Sequence, residues 1–502
     1  MVAQLEFVGS RVCSYAVGAF VAFWLYKFFK LQLREKLPGP RRWPLVGTML
    51  SFNHTRMLQD EYLLHVARRY GDLCALRGFG NDFVMLNTYD VIREAAVTKS
   101  NQFVNRKVGH GFTWKQVDPH GENMAHNDFA KIKQTRNTTL SIFRELGVGR
   151  AAMEELVADE ARLLLDRFRS FEGKAFNCNF LVQLSVLNNI QRVLFNKRFD
   201  FDDVEMRRMQ VHSNRIVATF KFVFLFDIVP PLRFLPGLRR LFTDFVDANK
   251  NILTFMTRQA QTIIDKQSQE ELEDQAVESY VQAYTQKHGA DSYEVTTVMP
   301  QTFEQLFFAG NETTANSMQW TLCLLANRPH VQDKLHAAIC DVIGEDGAYE
   351  TTSVIPYLDA VVWEVQRFCS VVPIAFPHTV STKDKVTLAG HVVPNDATYI
   401  FNLFAVHRDP KTWGDPEQFR PERFLDEDAN FVKHSHVIPF GLGKRSCLGE
   451  LLARQELYIF TANIFHKFRI LPPEGVDRVD EQPVFAITRA APAFELRAVP
   501  RR

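Results

Sequence analysis

Residues 440–449 read Phe-Gly-Leu-Gly-Lys-Arg-Ser-Cys-Leu-Gly, and the rest of the chain is organised around them. Two glycines at alternate positions permit a tight loop whose backbone can come close to a ligand. From Glu450 to Ile464 the apolar residues recur at helical spacing, so Cys447 lies just before a predicted helix. A cysteine near a helix N-terminus and beside an arginine is expected to be a thiolate, the form that binds soft metals.

An iron porphyrin with one cysteine ligand suits this stretch, because a thiolate donates electron density to iron and favours O–O cleavage. At these residues the chain resembles the cytochrome P-450 superfamily, the heme-thiolate monooxygenases. The residues that match the family signature are Phe440, Gly441, Gly443, Arg445, Cys447 and Gly449. The resemblance implies that Cys447 is the iron ligand of heme b and Arg445 pairs with a heme propionate. It also implies that Phe440 and Gly441 form the loop beside the thiolate. An inert buried cysteine in a glycine-rich turn is the structural alternative.

Composition limits the possible functions of the 502-residue chain. Its formal net charge is +1, which argues against a dedicated nucleic-acid binder. The 43 phenylalanines suit a large apolar interior around a flat aromatic cofactor. Seven cysteines at irregular spacing show no disulfide framework or zinc pattern, so the catalytic part is expected in a reducing compartment.

The N-terminus predicts a single membrane anchor. Residues 12–26 are uncharged and apolar, and basic residues crowd the following segment. A cleaved signal peptide is the alternative, but the apolar run ends in bulky aromatic residues instead of a small-residue cleavage site. The positive-inside rule leaves the rest in the cytosol, and the resemblance implies the endoplasmic reticulum membrane. We therefore divide the chain into an anchor (1–30), a basic, proline-rich hinge (31–47) and a heme-binding catalytic domain (48–502).

The next part of the chain alternates regular elements with one long loop. A helix is predicted over 59–70, two short strands over 73–87 and an irregular loop over 100–126, which by resemblance covers the active site. Residues 153–288 are mostly amphipathic helix, interrupted by prolines at 230, 231 and 236. The phenylalanines around that break fit either core packing or a second membrane contact beside a substrate entrance.

A basic helix is predicted over 129–143. In the family this helix carries a Trp and, four residues later, an Arg that binds a heme propionate. Those positions hold Ile132 and Arg136 here, so the resemblance assigns Arg136 to the propionate and predicts that one hydrogen bond is missing. A solvated helix face is the alternative interpretation of these charges.

A long helical pattern over 303–325 contains Ala-Gly-Asn-Glu-Thr-Thr at residues 309–314. Glycine and threonine are poor residues for a helix interior, so we expect a local opening of the helix where water enters. The family has Ala-Gly-x-acid-Thr-Thr here. The resemblance implies that Glu312 and Thr313 are catalytic and deliver protons during oxygen activation. A structural helix with a packing glycine is the alternative.

Further contacts follow from the resemblance. Glu364 and Arg367 are three residues apart on a predicted helix, and with Arg423 they match a buried structural triad of the family. His378 follows an extended apolar stretch and is the candidate for a second propionate contact. A histidine that is hydrogen-bonded in a turn is the alternative.

The predicted fold is mainly α-helical with a small β-rich lobe, as in the family, after one N-terminal transmembrane helix. A hairpin over 484–488 is expected to touch substrate. The candidate pocket residues are all apolar: Phe303, Phe307, Phe308, Ile374, Phe376 and Phe485. They fit a steroid, a fatty acid or a foreign compound equally well.

Electrons are expected from NADPH through a separate NADPH–cytochrome reductase, with a cytochrome b-type protein as a further donor, because the chain has no Gly-x-Gly-x-x-Gly motif. Lys131, Lys133 and Lys444 are candidates for docking that acidic partner. One alternative is a heme-thiolate isomerase or peroxide-rearranging enzyme, which usually lacks the acid–threonine pair. A non-catalytic heme protein is the other.

Overall fold

The structure is a computed structural model that describes most of the chain after Asp60. The described ranges are 60–78, 81–106, 111–228, 230–269, 277–345 and 354–501, with residues 18, 22, 23, 26, 37–41, 43, 47, 48, 347 and 349 in addition. The predicted anchor segment 12–26 therefore lies almost entirely outside the described residues. Within the described ranges, no helix is both long enough and apolar enough to cross a membrane.

Helices dominate the chain. In order they are α1 Asp60–Tyr70, α2 Tyr89–Arg93 (continued by a π-helical turn Glu94–Thr98), α3 Trp114–Val117, α4 Phe129–Glu145, α5 Ala151–Arg169, α6 Asn179–Phe195, α7 Val204–Ile228, α8 Leu238–Gln269, α9 Tyr280–His288, α10 Met299–Ala326, α11 Pro329–Ile343, α12 Pro356–Cys369, α13 Leu403–His407, α14 Pro410–Trp413 and α15 Glu450–Lys467.

The strands are short. They are β1 Leu73–Gly78, β2 Asn81–Leu86, β3 Phe176–Asn177, β4 His378–Thr379, β5 Val386–Leu388, β6 His391–Val393, β7 Thr398–Phe401, β8 Phe468–Leu471, β9 Val484–Phe485, β10 Arg489–Ala490 and β11 Glu495–Pro500. The predicted mainly helical fold with a small β-rich part is confirmed.

The chain divides into two compact units, of which the smaller comprises residues up to Asn105 with Ile374–Val406 and Leu442–Lys444. Its main sheet has the order β1-β2-β7-β4, in which only the β2–β7 pair is parallel, and β5 and β6 form a separate hairpin. One face of α1 packs on this sheet: Leu63 and Val66 are buried with Leu76. The predicted first helix and first two strands are thus present.

The larger unit comprises Arg106–Pro373, His407–Gly441 and Arg445–Arg502. At its centre is α10, which contacts α6, α8, α12 and α15. It also holds the sheet β3-β11-β8 and the β9–β10 hairpin, which confirms the predicted hairpin over 484–488.

The expected opening in the central helix is wrong, because α10 continues through residues 309–314 without a break. Gly310 is there for packing: a Cβ atom at this position would lie 2.7 Å from the Ile190 Cδ1 of α6. Close approach of two helices therefore overrides the low helix propensity of Gly and Thr.

The proline break predicted after α7 is a single 3-10 turn, Pro230–Phe234. The phenylalanines near it differ in their exposure to solvent. Phe220 and Phe226 are buried, whereas Phe234 is 69% exposed and its neighbour Leu235 is 49% exposed. Core packing and an exposed apolar surface thus occur side by side in this region.

Candidate cofactor and substrate site

The cysteine loop is a closed turn ahead of α15. The amide of Cys447 donates to the carbonyl of Phe440 at 2.9 Å, and the Arg454 guanidinium lies 4.8 Å from the centre of the Phe440 ring. Gly441 has a φ of 71°, in the left-handed region that favours glycine, and a Cβ there would have open space around it. The sequence pattern is therefore explained by backbone geometry on this side of the loop.

The Cys447 thiol is solvent-accessible, although protein surrounds it closely enough to shift its titration. Burial raises the pKa of the Cys447 thiol most strongly; the Gly449 amide and Arg136 act to lower it, and Glu450 acts to raise it. The expectation that Arg445 and the helix terminus alone maintain a thiolate is therefore wrong. A bound metal ion deprotonates a coordinating thiol outright, so this sulfur is suited to a metal ligand's role.

Four basic side chains of the larger unit lie near one another and are called the cation cluster: Arg106, His126, Arg136 and Arg445. Backbone carbonyls fix their positions. Arg106 Nη1 donates to the carbonyl of Ala125 at 2.5 Å, and Arg445 Nη1 donates to that of Met124 at 3.0 Å. Arg136 Nη2 donates at 2.6 Å to the carbonyl of Ser446, the residue before the cysteine.

Three members of the cation cluster, Arg106, His126 and Arg445, have pKa values that burial and neighbouring positive charges lower. Burial, followed by Arg445 and Arg136, lowers the pKa of Arg106 well below its usual value. Burial and then Arg106 lower the pKa of His126 to about 3. Burial and Arg136 lower the pKa of Arg445 to about 10, opposed only by Asp128. Such a cluster is suited to a dianionic group, and the two propionates of a heme meet that requirement beside Cys447.

Sequence reasoning found only half of this cluster. Arg136 and Arg445 stand in recognisable motifs, and Ile132, one turn before Arg136, is buried where the family has a Trp. Arg106 and His126 belong to the predicted irregular loop, where no periodicity or motif marks them. Their role is visible only once the loop is folded.

The Glu312 carboxylate in α10 accepts a hydrogen bond that the sequence did not predict. Glu312 Oε1 accepts from Asn316 Nδ2 at 2.8 Å and from Thr488 Oγ1 of the C-terminal hairpin at 3.0 Å. Burial raises the pKa of Glu312, against the effect of these two hydrogen bonds. The Thr313 hydroxyl instead donates to the carbonyl of Ala309 at 2.8 Å, so no hydrogen bond joins Glu312 to Thr313.

The predicted triad is formed and is called the ion cluster: Glu364, Arg367 and Arg423. Arg367 makes two hydrogen bonds to the Glu364 carboxylate, at 2.7 and 2.8 Å, and Arg423 Nε lies 3.2 Å from it. Both Glu364 and Arg367 are completely buried. The remaining Arg367 donors reach the carbonyls of His407, Pro416 and Gln418. Every charge here has a protein partner.

His378 lies in the smaller unit, on β4. Its Nδ1 is 2.8 Å from the carbonyl of Phe103, and its ring stacks on Phe401 with the ring centres 4.3 Å apart. These contacts fix the orientation of the ring.

The candidate pocket residues differ in accessibility. Phe303 is fully buried and packs against Phe195 and Tyr280, with ring centres 5.2 and 5.5 Å away, so it is a core residue and its assignment to the pocket wall is wrong. Phe307 is also fully buried, whereas Phe308 and Phe485 keep accessible surface. In the smaller unit, Ile374 and Phe376 are partly accessible.

Comparison with known proteins identifies the family. The family model of cytochrome P450 matches residues 37–497. Cytochrome P450 2D4 of Rattus norvegicus is 30% identical over 92% of this chain and 93% of its own length. Cytochrome P450 2J1 of Oryctolagus cuniculus is 30% identical, with 96% and 95% covered, and cytochrome P450 2F3 of Capra hircus is 31% identical, with 88% and 89% covered. From its accessible cysteine before α15, its fold and these relatives, we conclude that the chain belongs to the cytochrome P450 family of heme-thiolate monooxygenases.

Proposed function

We propose that this protein inserts one oxygen atom of dioxygen into a lipophilic small molecule, with the help of a heme that Cys447 would hold through its thiolate. The observation that carries the proposal is the accessible Cys447 thiol together with the cation cluster, because a heme needs one soft ligand and partners for two propionates. The thiolate-ligated heme supplies oxygen activation. Arg106, Arg136 and Arg445 would hold the propionates, and His378 remains a candidate for the same role by resemblance.

The protein's own residues would manage the protons. Because its pKa is raised, Glu312 retains a proton more readily than a surface glutamate and can release it to water when a base appears nearby. The Thr313 proton is committed to the carbonyl of Ala309, so its oxygen presents lone pairs that can orient such a water. A proton held by Glu312 and a water oriented by Thr313 argue against the isomerase alternative, because an isomerase requires no proton supply of this kind.

The deciding experiment is the absorption spectrum of the reduced, carbon monoxide-bound protein, with Cys447→Ala beside the wild type. We expect a thiolate-type Soret band in the wild type only. NADPH-dependent oxygen consumption after addition of a reductase separates a monooxygenase from a carrier or an isomerase. A histidine-type spectrum in the wild type would contradict the proposal.

Electrons would come from NADPH through a separate reductase, or from a cytochrome b-type donor, at a basic surface. Lys131 is already paired with Glu122, its Nζ lying 3.1 Å from Oε1, whereas Lys133 is exposed on the same helix. Lys444, in the smaller unit, donates to Asn101. Lys133→Glu and Lys444→Glu should each slow turnover more at low salt than at high salt; equal rates at all salt concentrations would contradict docking at these lysines.

The turn between α7 and α8 supports a membrane contact besides the proposed N-terminal anchor in the endoplasmic reticulum membrane. Phe234 and Leu235 are adjacent and exposed, and exposed apolar groups of this kind mark interaction surfaces. Vesicles of brominated lipid should quench the fluorescence of the tryptophan introduced by Leu235→Trp. The tryptophan introduced by the control Val476→Trp, at another exposed apolar position, should keep its fluorescence.

A further inference from the structure

The tip of the cysteine loop belongs to the smaller unit, as does the π-helical turn Glu94–Thr98. A Cβ atom on Gly443 would lie 1.9 Å from the carbonyl oxygen of Ala96 in that turn. The hydrogen that takes this direction in glycine therefore points at the oxygen, which is the geometry of a weak Cα–H···O contact. Lys444, the next residue, donates to the Asn101 side chain just after the turn. Two consecutive residues of the loop thus contact one segment.

Gly443 lies inside a closed part of the chain. The amide of Cys447 donates to the carbonyl of Phe440 at 2.9 Å, so residues 441–446 form a loop whose two ends are fixed to each other. Gly443 is near the middle of this loop, four residues before Cys447. Each residue has only two soft backbone torsions, and closure of the loop restrains them further. A displacement of Gly443 is therefore passed on to Cys447.

Glu94 fixes the π-helical turn at both of its ends. Glu94 Oε1 accepts from Lys99 Nζ at 2.6 Å, and Oε2 accepts from the amide of Ala389 at 3.0 Å. Lys99 Nζ also donates to the carbonyl of Thr387 at 2.7 Å. Burial acts to raise the pKa of Glu94, but the hydrogen bonds from Lys99 and Ala389 outweigh it and lower that pKa. One carboxylate therefore joins the beginning and the end of the turn to the β5–β6 hairpin.

The hairpin has a strained backbone at this contact. Ala389 and Gly390 join β5 to β6, and both have a positive φ, of 48° and 76°. Two-residue turns of this kind suit the twist of the strands, but the left-handed conformation is unfavourable for alanine. Such a residue persists where its surroundings fix it, and the bond from its amide to Glu94 is one such contact. The hairpin tip and the π-helical turn are thus fixed by the same side chain.

We propose that Glu94 is a positioning residue for the heme ligand. It fixes the π-helical turn, and the Ala96 carbonyl of that turn sets the position of Gly443 and hence of the Cys447 sulfur. This inference rests on the proposed function, because it concerns how Cys447 would hold the heme. The β5–β6 hairpin is then connected to the ligand through Glu94, and a change at the hairpin tip alters how firmly the thiolate is held.

The first test compares two glycines of the cysteine loop in the full-length, heme-loaded protein. Gly443→Ala and Gly441→Ala each introduce a Cβ at a positive φ, of 73° and 71°. The first Cβ meets Ala96, whereas no atom of the described residues lies within 4 Å of the second. In dilute urea, Gly443→Ala should lose the thiolate-type Soret band of the carbon monoxide complex about 10-fold faster than Gly441→Ala. Equal rates would overturn the proposal.

Variants of Glu94 test the positioning role without a change in the loop itself. Glu94→Ala should lose the thiolate-type band about fivefold faster than the wild type. Glu94→Gln keeps an acceptor for the Ala389 amide, so its rate should lie between these two. Asp384→Ala is the matched control, because the Asp384 carboxylate accepts from Thr382 just before the same hairpin. This control should behave as the wild type.

Circular dichroism of the helices, recorded in the same urea series, separates positioning from general stability. Positioning predicts that Glu94→Ala accelerates loss of the band while the helical signal decays at the wild-type rate. If both signals decay faster in equal proportion, Glu94 only stabilises the fold and the positioning role is overturned. A thiolate-type band that does not depend on Glu94 also overturns that role but leaves the monooxygenase proposal intact. A wild type without the band contradicts both proposals.

Discussion

The ion cluster is a buried group of charges and the cation cluster a partly buried group of arginines, and their chemistry is opposite. In the ion cluster, Arg367 has two carboxylate oxygens within 2.8 Å and its other donors reach carbonyls. In the cation cluster, Arg106, Arg136 and Arg445 bind backbone carbonyls. Arg445 and Arg136 lower the pKa of Arg106, and Arg136 lowers that of Arg445, with Asp128 as the opposing charge at Arg445.

The difference separates a structural site from a proposed binding site. Burial of an ion costs several kcal/mol unless it is paired, so the ion cluster can be retained for stability and registration alone. A set of like charges gains nothing for the folded chain by itself. Its retention makes sense when an anionic ligand completes it, and breaking each cluster should therefore give a different result.

The largest effect is expected in the ion cluster. Glu364→Ala leaves Arg367 completely buried without its carboxylate, so the free energy of unfolding should fall by about 3–5 kcal/mol. Denaturant unfolding of the full-length protein measures this. A loss below about 1 kcal/mol would show that the triad is dispensable.

In the cation cluster we expect a loss of cofactor affinity instead. Arg136→Met removes a proposed charge-assisted contact worth about 1.5–3 kcal/mol, so the heme should dissociate about 10- to 160-fold faster. Transfer of heme to apomyoglobin gives the rate. Arg144→Met, at an exposed position of α4, is the matched control. If both variants lose heme at the wild-type rate, the cluster does not hold the cofactor.

The free energy of unfolding should fall at acid pH because of His407, the histidine beside the ion cluster. Burial and then Arg367 lower the pKa of His407 to about 3, whereas an unfolded histidine has a pKa of about 6.5. The unfolded chain therefore binds the proton first, and stability is complete above pH 6.5. Between pH 6.5 and about 3, this residue should remove about 1.4 kcal/mol of stability per pH unit. His407→Gln should show a correspondingly shallower dependence; an unchanged slope would contradict this assignment.

The smallest effect is expected at the rim of the ion cluster. Arg420 donates its backbone amide to Glu364 Oε1 at 2.7 Å, while its side chain is half exposed and pairs with Asp415. Arg420→Ala keeps the amide and removes only the surface pair, so the free energy of unfolding should fall by less than about 1 kcal/mol. A loss as large as that of Glu364→Ala would mean that the rim carries the cluster's stability.

Local patterns in the sequence were sufficient for the cysteine loop, the Glu364–Arg367 pair and the long central helix. They failed where distant segments meet. The opening expected at Gly310 is absent because that glycine accommodates Ile190 of α6. Thr488 contacts an acid 176 residues earlier, and Arg106 and His126 act from a loop without periodicity. Phe303 packs against Phe195 in the core. The sequence misplaced it in the pocket wall because helical spacing alone does not say which face of a helix borders a cavity.

The hydrogen bond from Thr488 to Glu312 makes the pKa of an acidic residue in the central helix depend on the β9–β10 hairpin. Thr488 stands three residues after Phe485, which keeps accessible surface in the same hairpin. A side chain that shifts this hairpin would therefore alter how firmly Glu312 keeps its proton. Under the proposed role of Glu312 in proton supply, sequence variation near the C-terminus would then change the yield of product per electron consumed, while the cysteine loop itself stays unchanged.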